Sequence, residues 1–85
     1  MNTETVTGPM TAYVNPAIAE IVDRALTMAA EDAGAAAGYL WLANESRAKG
    51  EHFAGHAQIC EDAAFTYAWS AGGWEAHAAK MGAAL

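Results

Sequence analysis

The chain has 85 residues and a formal net charge of −6, with four Lys and Arg against ten Asp and Glu. So few cations exclude nucleic-acid binding by phosphate neutralisation, which needs clustered Lys and Arg. The length allows one domain at most, and a hydrophobic content of 54% that is largely alanine forecasts helices more firmly than a deep core.

Chains of this size and composition need partners to cover their larger side chains. Cys60 is the only cysteine, so no internal disulfide forms and the reducing cytosol is the expected compartment. The sequence opens without a basic flank or an apolar leader. Its longest apolar run, AAAGYLWLA, is too short to span a bilayer. The expectation is a soluble cytoplasmic protein.

Residues 1–13 are Thr-rich, contain Gly8-Pro9 and lack a helical period, which predicts a flexible N-terminal arm ahead of a helical domain over 14–85. Asn15 suits an N-cap, Pro16 the first helical position, and Glu20 the positive end of the helix dipole. Ile18, Val22, Ala25, Ala29, Ala33, Ala36, Leu40 and Ala43 then recur at three- and four-residue steps and form one apolar seam. Gly34 and Gly38 weaken this helix while leaving room for a neighbouring backbone. Arg47 and Lys49 suit a last turn and Gly50 the position just beyond it.

A second seam runs through Phe53, Ala57, Cys60, Ala64, Tyr67, Ala71, Trp74, Ala78, Met81 and Leu85. It crosses Gly72-Gly73 in phase, which predicts one long helix with a kink allowed at the glycine pair. The predicted fold is all-α: an antiparallel hairpin of two long alanine-rich helices that assembles into a larger helical layer. Trp41, Phe65 and Trp69 fall away from the seams. Either the chain folds back into a compact four-helix domain that hides them, or both faces of the hairpin are contact surfaces, which makes layers or filaments. Trp41, Phe65, Trp69 and Trp74 are the expected self-assembly contacts.

His52, His56 and Cys60 lie four residues apart, and Glu61 or His77 is the nearest further ligand. Three ligands on one helix do not close around a tetrahedral ion, because i to i+8 spans about 12 Å. No metal is expected, and Cys60 reads as a small packing residue. There is no phosphate-binding glycine loop, HExxH or nucleophile elbow, so neither a cofactor nor catalysis is expected. A pH switch is better supported. His52 and His56 flank the seam, where a helix contact would cover them in part. With His77, Glu51, Glu61, Asp62 and Glu75 they form a titratable set that responds as acid charges imidazoles and then neutralises carboxylates.

Taken together, VNPAIAEIV, AAAGYLW and GEHF resemble the R-body protein family, the "killing trait" proteins. The matching positions are Val14, Asn15, Ile18 and Val22, then Gly38, Leu40 and Trp41, then Gly50 and Phe53. The family's glutamine run survives only as Gln58, and the GGWEAH region has no counterpart. The resemblance implies a bacterial cytoplasmic protein that polymerises, alone or with paralogous subunits, into a coiled ribbon. Such ribbons unroll, often on acidification, and disrupt membranes mechanically. No catalytic residue is implied. Two other readings are open: a small acidic helical module that inhibits a host nucleic-acid-binding protein by mimicking phosphate charge, and an exported helical hairpin. The second usually carries a W-x-G turn, which is missing near Gly50.

Overall fold

The computed structural model describes residues 15–83. The predicted arm over 1–13 and the last seam residue, Leu85, lie outside them. Asn15 does cap the first helix: its Oδ1 accepts from the backbone N–H of Ala17 at 3.0 Å and of Ile18 at 3.5 Å. Pro16 follows at the first helical position, where a missing N–H leaves no bond unmade. Helix α1 then runs Pro16–Ala48, 33 residues, or about 50 Å at 1.5 Å per residue. Glu20 pairs with Arg24 one turn on, at 3.4 Å.

Gly50 ends the run as expected. It adopts φ 111°, and its N–H donates to the Arg47 carbonyl at 3.1 Å. A single 3₁₀ turn, Glu51–Phe53, leads into α2, Ala54–Gly82. Helix α2 passes through Gly72-Gly73 without interruption. The two helices pack against each other as an all-α hairpin, and no strand occurs among the described residues. The aromatics are therefore not hidden in a compact four-helix domain.

The seam is narrow and made of small groups. In α1 the buried residues are Ala25, Ala29, Ala36, Ala43 and Ser46; in α2 they are Ala57, Cys60, Ala64, Ala71 and Ala78. Alanine recurs every seventh residue in both helices, at 29, 36 and 43 and at 57, 64, 71 and 78. A seven-residue repeat keeps two helices in contact by a slight left-handed supercoil.

That repeat corrects the expected first seam at two places. Asp32 and Tyr39 are half-buried in it, while Ala33 is exposed and Leu40 is 51% exposed. A strict heptad selects positions 32 and 39, and both side chains find partners there. Asp32 Oδ2 accepts the Ser70 hydroxyl at 2.6 Å. Tyr39 stacks on Tyr67 with centroids 5.6 Å apart and planes 13° from parallel.

Two further expectations are corrected. Phe53 does not open the second seam; it is 41% exposed in the 3₁₀ turn, with the Lys49 ammonium 5.6 Å above its ring, and burial begins at Ala57. Gly34 and Gly38 do not admit the partner helix either. Both are on the outside, where an added Cβ would meet nothing within 4 Å, and the same holds for Gly72 and Gly73. The close approach is made by the alanines.

Candidate assembly surfaces

At 100° per residue, the positions midway between seam residues point directly away from the partner helix. Trp41 lies midway between Tyr39 and Ala43, and Trp69 midway between Tyr67 and Ala71. The two tryptophans therefore project from opposite outer edges of the hairpin, with exposures of 62% and 76%. Phe65, one turn before Trp69, is 75% exposed. Their own chain leaves these three expected contact residues mostly uncovered.

Trp74 is different. It belongs to the second seam and is half-buried, lining an open groove of about 470 Å³ with Ile21, Ala25 and Met28. Of the four expected contact residues it is the one that its own chain covers most. The sequence reading also missed a set of exposed aliphatics: Ile21, Leu26, Met28, Leu42 and Ile59. Residues 26, 33 and 40, and residues 21, 28, 35 and 42, recur at seven-residue steps beside the seam, and that spacing was the available signal.

The two broad faces of the hairpin differ. One carries Leu40, Glu61, Ala68 and Glu75 along the shallow grooves between the helices. The other carries Leu42, Lys49 and His56 around a groove of about 460 Å³ near the turn. His77, three heptads after His56, lies on this second face beside Trp74, ring centroids 6.2 Å apart at 76°.

All three histidines are exposed, which corrects the expectation that a helix contact within the chain partly covers His52 and His56. The Cys60 thiol, buried in the seam, stands 3.7 Å from His56 Nε2. Among the described residues no three His, Cys, Asp or Glu side chains converge on one point.

The carboxylates of the titratable set are also unlike one another. Glu51, Asp62 and Glu75 are exposed, and Asp62 accepts from Gln58 at 3.1 Å. Glu61 instead bridges the helices. Arg47 donates to both of its oxygens, with Nη2 to Oε1 at 2.9 Å. These hydrogen bonds, with the guanidinium's charge adding to them, hold the Glu61 carboxyl below the ordinary carboxylate range. Glu61 is thus a latch near the turn.

Charge is distributed in blocks. Ala33–Asn44 of α1 and Ala63–Trp74 of α2 contain no ionisable Asp, Glu, Lys, Arg or His. The contacts Asp32–Ser70, Tyr39–Tyr67 and Arg47–Glu61 put these two stretches side by side. They overlap over roughly eight or nine residues, so a charge-free band of about 12 Å girdles the middle of the hairpin, with charged residues on either side of it. No helix among the described residues is long and apolar enough to cross a membrane. No family model, curated protein or solved structure matches the chain.

Proposed function

We propose that this protein is a structural subunit that polymerises through its outer surfaces into an R-body-type ribbon. The ribbon is coiled or extended according to pH and acts on membranes only mechanically, once assembled. The observation that carries this reading is the placement of Trp41 and Trp69 on opposite edges of a hairpin whose own core is alanine. Contact surfaces on opposite sides of a subunit generate open arrays rather than closed dimers. Large exposed aromatics on a charge-free band are the usual composition of a buried interface, where Trp, Tyr and Phe are enriched and charges depleted.

The exposed histidines support the pH element. All three are exposed on the hairpin, where a neighbouring subunit can reach them, and the effect of their protonation would be repeated at every copy. Replacing His52, His56 and His77 together by glutamine is expected to abolish or shift the pH response of the assembly. An unchanged response would remove the histidines from the mechanism.

Sedimentation and negative-stain electron microscopy of the purified chain, at neutral and acidic pH, test the main reading. Very large, pelletable, ribbon-like particles are expected. A single sharp monomer or dimer over a range of concentration and pH would overturn it and favour the acidic binding module. That alternative has weaker support, because Glu20, Asp23, Glu31, Glu45 and Asp62 are scattered over both ends of the hairpin rather than aligned on one face.

A further inference from the structure

We infer that successive copies join side by side in the same orientation, with the α2 edge of one copy packed on the α1 edge of the next and Trp69 seated over Gly34 and Gly38. This inference rests on the assembly proposed above and specifies its contact.

Asp32 is bonded to Ser70 and Tyr39 is stacked on Tyr67, so Trp69 stands level with the stretch of α1 between residues 32 and 39. On the far edge of the hairpin that stretch presents Gly34, Ala37 and Gly38, with open space where side chains would be. Trp41 lies just beyond Tyr39 towards the turn, at the height of Phe65. A copy displaced sideways, without sliding or turning over, therefore meets a protruding indole with a recess at the same height. Its Trp41 comes beside Phe65.

Area and charge both favour a second copy as the occupant. Trp41, Phe65 and Trp69 would bury about 150–250 Å² each, and with the matching surface of the neighbour the total approaches the 1,200–2,000 Å² of a standard stable interface. The apposed surfaces fall within the charge-free band of both copies, so no carboxylate need be desolvated at the centre of the contact. The two edges are complementary rather than identical. Each copy thus keeps one free edge of each kind, and growth does not close.

The test uses two full-length variants, each with one spoiled edge. Gly34→Gln with Gly38→Gln fills the recess, and Trp69→Gln removes the indole. Each site is exposed, and the glycine replacements raise helix propensity, so both variants are expected to stay helical, with a thermal stability no lower than that of the wild type at concentrations too low for assembly. Each alone is expected to lose pelletable particles. Mixed one to one, they are expected to form a heterodimer through the one intact pair of edges, seen as a species of twice the chain mass by sedimentation. Particles persisting in the glycine variant would overturn this contact while leaving the assembly standing. Failure of the mixture to pair, with both variants helical, would also overturn it. A wild-type chain that never forms particles would overturn the contact and the assembly together.

Discussion

At Gly50 the backbone takes φ 111° and ψ 179°, a region open essentially to glycine alone. A Cβ there would meet no atom within 4 Å, so any penalty comes from the backbone itself. Gly50→Ala is expected to destabilise the hairpin by about 1–3 kcal/mol, read as a lower midpoint in denaturant. Glu61 offers a different residue-scale test. Its carboxyl protonates at lower pH in the folded chain than in the unfolded one, because Arg47 binds the ionised form. Its stabilisation is therefore complete above the unfolded carboxylate pKa and lost as pH falls through the lower, folded value. The melting temperature of Glu61→Gln should lie below that of the wild type at neutral pH. The two curves should converge in strong acid.

Between the helices, the decisive feature is the size of the seam residues. Ala57 is fully buried at the turn end, with Ala43 and Cys60 in the same cluster. Ala57→Leu is expected to pry the helices apart at a cost of about 1–3 kcal/mol, with the Arg47–Glu61 bridge among the first contacts affected. The Asp32–Ser70 pair calls for a cycle. Ser70→Ala alone leaves a partly buried carboxylate without its donor, whereas Asp32→Ala with Ser70→Ala restores an alanine pair and should be nearly neutral by comparison. Chemical denaturation of the three variants separates these outcomes.

The same seam explains what the sequence made readable. Alternating three- and four-residue steps located both helices, and Asn15, Pro16 and Gly50 marked their ends through local chemistry. The slip at Ala33 and Leu40 came from preferring apolar residues to Asp and Tyr. Only the opposite helix reveals that Ser70 and Tyr67 stand ready to receive Asp32 and Tyr39. Trp41 and Trp69 were legible as outward-pointing because helical phase alone fixes direction. Their relative height was not, since it depends on how the two helices align across the turn.

As a whole, the molecule buries no side chain larger than Cys60 among the described residues. An alanine core gives little hydrophobic stabilisation per residue, so the free hairpin is expected to be marginal and the assembled one firm. Any partner that binds only the folded form raises its apparent stability by mass action. The melting temperature of the wild type should therefore rise with protein concentration, and that of Trp69→Gln should not. Calorimetry over a wide range of concentration checks this. In the side-by-side arrangement, helix spacings of about 8–10 Å give a repeat of two helices per copy. Diffraction from oriented particles is expected to show it at about 16–20 Å.

The unlike broad faces of the hairpin have a mechanical consequence for such a ribbon. His56 and His77 lie on one side and Glu61 and Glu75 on the other, so in the proposed ribbon a change of charge would load the two surfaces unequally. A thin strip whose surfaces swell by different amounts bends, as a bimetallic strip does on heating. In the proposed ribbon, curvature would then be the quantity that reports pH, summed over every subunit along the length, while the alanine seam inside each one stayed as it was.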